Sequence, residues 1–296
     1  MKTTYELVNT YINEMGVSLA DATINNYKSV LLDFARTCGK EQASKELLIK
    51  HIMALKDAGN SNNTLRTKIT VIKGFTAWAV NNGNIESDFA ECMKLPTPEY
   101  HIAERMTKDE VSTMLHERAP HGTHNVLRNK AIMELAIVTA SRVSAICSLK
   151  REDIDFDRKT IRFRHTKRNK EIELSLTDSL CNSLTAYIEQ ERPEELTDSD
   201  YLFVGERRQH GEFAPLTRQQ IYNISKAYTA NACGKALSPH KLRHTSASIQ
   251  IESGKLSIDE ISANLGHASV ATTQRYAQRL NDAPRRAATA AVFEGL

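Results

Sequence analysis

Apolar residues recur every three or four positions through most of the first hundred residues. Ile24, Tyr27, Val30, Leu31 and Phe34 share one face of a helix predicted over 23–34, and Leu47, Leu48, Ile52 and Leu55 do the same over 46–55. The polar stretch Gly59-Asn-Ser-Asn-Asn63 reads as a loop. Beyond it Leu65, Ile69, Ile72 and Ala79 form the apolar stripe of a longer helix, Arg66, Thr70 and Lys73 project from another face, and Asn82-Gly83 marks its end. Leu95-Pro-Thr-Pro98 then disfavours both helix and strand and reads as a linker.

Thr107-Lys-Asp-Glu110 has the spacing of a capping box and predicts a new helix start. An apolar helix follows at Ile132 to Val138. The alternation in Thr160-Ile-Arg-Phe-Arg164 and Glu171-Ile-Glu-Leu174, on either side of a polar turn, predicts a β-hairpin. Helical patterns return at Asp178 to Ile188 and Arg218 to Ala230, and Ser257-Ile-Asp-Glu260 is a second capping box whose helix closes at Gly266. The pattern therefore predicts a mainly α protein with a small antiparallel β-sheet: a helical domain over 1–95, a linker over 96–104 and a mixed α+β domain over 105–296.

A length of 296 residues accommodates two such domains. The five cysteines, Cys38, Cys92, Cys147, Cys181 and Cys233, are odd in number, far apart and without a C-x-x-C pair, which argues against a disulfide framework or a zinc ribbon. The N-terminus MKTTYELVNT lacks a signal-peptide pattern and no apolar run reaches membrane-spanning length, so a reduced, soluble, cytoplasmic protein is expected. A net charge of +3 does not identify a polyanion partner by itself. Its distribution is more informative, because basic residues crowd Arg158 to Lys170 while acidic ones gather between Glu189 and Asp200. That run is either a solvated hairpin face or a polyanion site.

The stretch SPHKLRHT, Ser238 to Thr245, presents a problem in electrostatics. Ser238 suits an N-cap and Pro239 the first helical position, so His240, Lys241, Arg243 and His244 load the positive end of a helix with further cations. A bound phosphate resolves the conflict, since helix terminus and side chains would serve one anion. Two other segments share this character. Gly266 in Leu265-Gly-His267 can turn His267 back after a helix end, with Ser269 able to cap a short helix carrying Thr272-Thr-Gln-Arg-Tyr276. Arg142, in Thr139-Ala-Ser-Arg-Val-Ser144, emerges where the apolar helix surfaces; an arginine there serves either an ion pair or a phosphate.

Taken together these segments resemble the tyrosine recombinase (phage integrase) family over nearly the whole chain. The family's first box is similar to Thr139 to Leu149, its H-x-x-R box to His240 and Arg243, its L-G-H box to Leu265 to His267, and its nucleophile to Tyr276. The lysine of its hairpin turn looks like Lys167, with Lys170 a near competitor. The resemblance implies a helical core-binding domain, a mixed catalytic domain, and cleavage and rejoining of duplex DNA through a 3'-phosphotyrosine bond without cofactor or metal. It also implies self-association into a synaptic tetramer on two DNA sites. One position departs: the acidic residue usual three places after the first arginine is Ala145 here, which puts in question how Arg142 is braced.

The chemistry explains the residue types. A phenol with a reference pKa of about 10 must shed its proton as it attacks phosphorus, and charge builds on the non-bridging oxygens. Arg142 and Arg243 would clamp that charge, His240 would accept the phenolic proton, His267 would hydrogen-bond the phosphate and Lys167 would protonate the departing 5' oxygen. A phosphotyrosine ester conserves the energy of the broken bond, and no P-loop is present. Arg66, Thr70, Lys73, Arg162, Arg164 and Arg168 are the candidate DNA contacts, while His244 and Arg275 read as structural and surface residues. The tail 280–296 carries Ala288, Ala291, Val292, Phe293 and Leu296 for docking on a neighbouring subunit or on its own.

Other classes are conceivable. His240 and His244, four apart, have the spacing of a zinc hydrolase, but Lys241 stands where that chemistry needs a glutamate. A DNA-binding accessory protein of recombinase descent, or a type IB-like topoisomerase, would share much of the sequence pattern.

Overall fold

A computed structural model of the chain describes residues 2–99, 104–117, 119–164, 171–198, 200–205, 213–266, 269–271, 273–274 and 277–278. The chain divides into two compact units, Met1–His101 and Ile102–Leu296. Secondary structure is mostly helical with one small antiparallel sheet, as the periodicity predicts.

The first unit contains α1 (Thr4–Met15), α2 (Asp21–Cys38), α3 (Lys45–Asp57) and α4 (Asn62–Asn81). Side-chain caps fix where three of them start. Thr3 and Glu6 form a reciprocal capping box, Ser44 accepts from the Leu47 amide, and Ser61 accepts from the Thr64 amide. That last cap corrects the sequence reading: Asn62 and Asn63 belong to the helix, not to the preceding loop, because Ser61 caps ahead of two residues with no strong preference of their own. The helices bury Leu7, Val8, Tyr11, Leu31, Phe34, Leu48, Ile72 and Phe75 in a single core, with Tyr11 meeting Phe75 edge-on at 5.7 Å. Each such aliphatic or aromatic side chain contributes about 1.5–3 kcal/mol through burial.

In the second unit α5 (Lys108–His116) begins at the capping box of Thr107 and Glu110. Helix α6 (Val126–Thr139) runs through the interior, and residues 131–137 are buried on all sides of it. Its one buried carboxylate, Glu134, accepts a 2.6 Å hydrogen bond from Ser183 on α8 (Asp178–Gln190), which packs alongside. A six-residue helix α7 (Val143–Ser148) follows, then the sheet: β1 (Ile154–Asp155), β2 (Thr160–Phe163) and β3 (Ile172–Ser175), in that order and antiparallel. Ile161 opposes Leu174 and Phe163 opposes Ile172, so Ile161 and Phe163 enter the core while Arg162 faces outward. The predicted hairpin is present, with β1 as an additional strand too short to carry a period. Helices α9 (Arg218–Cys233), α10 (Pro239–Ser253) and α11 (Ile258–Asn264) complete the described elements. No described helix is long and apolar enough to cross a membrane.

Candidate active site

Helix α10 begins as its sequence predicts. Ser238 Oγ accepts from the Lys241 amide and Pro239 occupies the first turn, which puts His240 beside the helix terminus. One turn on, Arg243 is only 7% exposed, and its guanidinium is shared between two other helices. Nη1 donates to the Ala140 carbonyl at 2.8 Å and Nη2 donates to the Leu265 carbonyl. These are the C-caps of α6 and α11, so the buried cation sits where two helix ends present unsatisfied carbonyls and partial negative charge. Burial, reinforced by nearby Arg142, lowers the Arg243 pKa to about 10, so it remains a cation at neutral pH.

Arg142 is the N-cap residue of α7 and is half-buried. Its Nη2 donates to the Gly266 carbonyl at 2.9 Å. The two arginines, 101 positions apart in sequence, are thus braced by consecutive carbonyls of one turn, Leu265 and Gly266. Two backbone features make that turn and its counterpart possible. Gly266 has φ +56°, and a Cβ placed there would lie 2.8 Å from Ile172 Cδ1 and 3.6 Å from Arg142 Nη1. Ala140, fully buried, adopts φ 49°, ψ 27°, a left-handed conformation that costs a non-glycine residue about 1 kcal/mol or more. That turn of the chain aims the Ala140 carbonyl at Arg243.

The departure at Ala145 has a structural account. Its side chain is buried in the main core of the unit, and the described brace of Arg142 is a backbone carbonyl, for which no carboxylate is required.

The electrostatic conflict in SPHKLRHT is also smaller than the sequence implies. Lys241 Nζ reaches Glu104 at 3.0 Å, and Arg243 is directed to helix C-termini. His240 and His244 approach each other, Nε2 to Nε2, at 3.0 Å, with their rings edge to face. Desolvation first, then His240 and Arg243, lowers the His244 pKa to about 4. His240 keeps an open edge, yet the protein around it, followed by Arg243 and Arg142, also holds its pKa below the usual value. Both imidazoles are neutral at pH 7, so Arg142 and Arg243 supply the charge here. Among the described residues no group of three or more His, Cys, Asp and Glu side chains could hold a metal ion.

A strap from the start of the unit fixes α10 from behind. Besides Glu104 on Lys241, Arg105 pairs with Glu252 at 2.6 Å and the Met106 amide donates to Thr245 Oγ1 at 3.1 Å. Backbone carbonyls at 140, 265 and 266 carry no side-chain signature, and the strap pairs ordinary charged residues far apart in sequence, so sequence reading does not find them. The His240–His244 pair was visible as i, i+4 spacing.

The hairpin is anchored by Arg164, whose Nε pairs with Asp153 at 2.5 Å and whose Nη2 pairs with Glu152 at 3.1 Å. Asp153 is buried and also accepts from the Lys150 amide at 2.8 Å. Arg164, a candidate DNA contact, therefore has its guanidinium engaged by carboxylates, whereas Arg162 is exposed. In the first unit Arg66 Nη1 donates to the Pro96 carbonyl at 2.6 Å, Lys73 Nζ to the Glu91 carbonyl at 2.8 Å, and Thr70 Oγ1 to the Arg66 carbonyl at 2.8 Å. Lys167, Arg168, Lys170, His267, Arg275 and Tyr276, and the tail 280–296, lie outside the described residues.

Residues 104–282 match the model of the phage integrase family. The chain is 30% identical over 264 residues to tyrosine recombinase XerC of Corynebacterium glutamicum, covering 89% of this chain and 83% of that protein. Tyrosine recombinase XerD of Bifidobacterium longum is 30% identical over 289 residues, 91% of each chain. In fold, the integrase of transposon Tn1549 in complex with a circular intermediate DNA superposes with a TM-score of 0.73 at 16% identity, covering 93% of this chain and 95% of that one. A lambda integrase tetramer bound to a Holliday junction gives 0.72 at 18% identity, covering 93% and 77%. With more than half of the chain matched by the family model and relatives aligned along nearly the full length, the chain belongs to the phage integrase family and is a tyrosine recombinase, a site-specific enzyme that cleaves and rejoins DNA.

Proposed function

We propose that one backbone phosphate of duplex DNA binds between Arg142 and Arg243 and is attacked by the phenolic oxygen of Tyr276. The phosphorus–O5' bond breaks as the phosphorus–tyrosine bond forms, leaving a 3'-phosphotyrosine and a free 5' hydroxyl. His240 takes the phenolic proton, Lys167 delivers a proton to the departing 5' oxygen, and His267 donates a hydrogen bond to the phosphate. Rejoining runs the same steps backward with a 5' hydroxyl as nucleophile. The observation that carries this reading is the convergence of both guanidiniums on the successive carbonyls of Leu265 and Gly266, immediately before His267 in the chain. It fixes two permanent cations close together, and one is largely withdrawn from water, where its effect on developing charge is greatest.

Around this chemistry, the 1–95 region acts as a core-binding DNA domain joined by residues 96–104 to the catalytic domain. Arg66, Thr70, Lys73, Arg162 and Arg168 track the duplex, Arg164 holds the hairpin through Asp153 and Glu152 instead of reaching a phosphate, and four copies assemble on two sites in the cytoplasm. Support for the assembly is the fold shared with the lambda integrase tetramer. Truncation after Pro284 tests whether the tail joins the copies; undiminished synapsis would assign it to its own subunit.

The decisive experiment incubates the purified protein with fragmented genomic DNA, quenches with SDS and sequences the DNA retained covalently. An adduct absent in Tyr276→Phe and enriched in one sequence supports the reading. No adduct from the unaltered protein would mark a DNA-binding protein that does not cut, and relaxation of supercoiled plasmid without site preference would mark a topoisomerase.

A further inference from the structure

The mechanism leaves the histidine beside His240 without a role. His244 lies one helical turn beyond His240 on α10, half-buried, with the two Nε2 atoms 3.0 Å apart and the ring centroids 4.5 Å apart at an interplanar angle of 80°. Two Nε2 atoms at that separation cannot both carry a proton, because the N–H groups would point at each other, nor can both be bare without losing the bond. One donates and the other accepts.

The direction of that bond decides what His240 can do. If His244 donated, His240 would accept a hydrogen bond at its bare Nε2 and carry its own proton on Nδ1, which leaves it no free lone pair for a phenolic proton. If His240 donates, its proton is on Nε2 and its Nδ1 lone pair is open. Only the second arrangement makes His240 a proton acceptor. We propose that His244 is a positioning residue for His240: its bare Nε2 accepts the Nε2–H of His240, selects the tautomer whose Nδ1 takes the proton of Tyr276, and then holds the resulting imidazolium by the same hydrogen bond. The proposal rests on the reading of His240 as the proton acceptor.

The surroundings fit an acceptor that stays neutral. Among the described residues the charges acting on the pair are Arg243 of α10 and Arg142 from the connection between α6 and α7, and both disfavour a second positive charge. Lys241 is paired with Glu104, and Lys235, preceding α10, is paired with Glu110 of α5. With its pKa near 4, His244 does not take the proton from His240; it accepts a hydrogen bond and passes nothing on. The proton balance is therefore simple: one proton leaves the phenol, one arrives at Nδ1 of His240, and Nε2–H remains where it was.

Two measurements test this. Long-range 1H–15N correlation spectra of the 15N-labelled full chain at pH 7.5 require no DNA. His240 should show a protonated Nε2 and a bare Nδ1, and an Nδ1–H tautomer would overturn the proposal. The second compares SDS-stable adduct formation by the unaltered protein, His244→Phe and His244→Gln on the duplex recovered from the protein's own adducts. Glutamine places a carbonyl oxygen near the position of Nε2 and can accept the same bond, so it should retain the rate within a few-fold, whereas phenylalanine should slow it roughly 10- to 100-fold, part of the 10²–10⁴ general-base effect. Loss of the bond that favours the imidazolium should also move the acid limb of the His244→Phe profile to lower pH. An unchanged rate and limb in that variant, with normal adduct formation by the unaltered protein, would overturn the proposal while leaving the recombinase mechanism intact. No adduct from the unaltered protein would instead overturn the mechanism, and with it the proton-accepting role of His240, whatever the tautomer. Circular dichroism and DNA affinity separate a misfolded variant, and the glutamine variant then carries the comparison.

Discussion

Helices α4 and α10 each open on a serine cap and both are partly buried, yet they are held by different forces. The buried residues of α4 are Leu65, Ile69, Val71, Ile72, Phe75, Thr76 and Ala79. Those of α10 are Pro239, Leu242, Arg243, Thr245, Ser246, Ala247 and Ser248. The first list is an ordinary apolar stripe whose stability comes from area removed from water. The second is more than half polar, and its members are satisfied by hydrogen bonds: Thr245 to the Lys241 carbonyl, Ser248 to the His244 carbonyl, and Arg243 to two helix ends. Burial of that kind contributes little net stability. Its product is a fixed position for a charge.

The sharpest way to break this contrast is Arg243→Ala. Covalent adduct formation should fall by at least about 100-fold, by analogy with the loss of one oxyanion donor. Two carbonyls would also lose their partner at a cost of about 2–4 kcal/mol, read as a lower urea midpoint. Arg243→Lys, which keeps the charge without the fork, should lose nearly as much activity and less stability. On the apolar side, Phe75→Ala should destabilise the first unit by about 3–5 kcal/mol through the cavity it leaves, while the second unit keeps its own unfolding midpoint. A single transition for both units would refute the separation of their cores. Asp153→Asn, which cuts the Arg164 anchor, should cost about 1–3 kcal/mol, the lower end applying because Arg164 is 37% exposed.

A gentler probe is pH. The folded pKa of His244, near 4, lies below its unfolded value of about 6.5, so folding favours the neutral ring. Its contribution is fully present above pH 6.5 and lost as pH falls toward 4. The urea midpoint of the second unit should decline across that window, and His244→Gln should flatten the decline, although His240, shifted in the same direction, leaves a residual slope there, as His51 does in the first unit. The smallest effect is Ala140→Gly: relief of about 1 kcal/mol of left-handed strain offsets about 0.8 kcal/mol for a buried methyl, so stability should change by less than about 0.5 kcal/mol.

The same contrast explains what the sequence discloses. Helix faces, the capping boxes at Thr107 and Ser257, the Asn82-Gly83 stop and the hairpin are local, and each is written in residues a few positions apart. The chemical residues were legible for another reason, since H-x-x-R and L-G-H pair unusual side chains at fixed spacing. What could not be read is what holds them. Strand β1 has two residues and α7 six, too few to repeat a period. The carbonyls of Ala140, Leu265 and Gly266 belong to every amino acid alike, and nothing in Arg105 announces Glu252.

The missing side chain of Gly266 has one more consequence. Ile172 of the hairpin occupies the space a Cβ would need, 2.8 Å away, while Arg142 Nη1 stands at ordinary contact distance, 3.6 Å, so one remote stretch of chain fills the place of an atom that is not there. Substitutions at 172 and 266 should therefore fail to add in a double-mutant cycle, and a smaller residue at 172 should soften the harm done by alanine at 266. In a lineage free to vary, those two positions would have to drift as a pair.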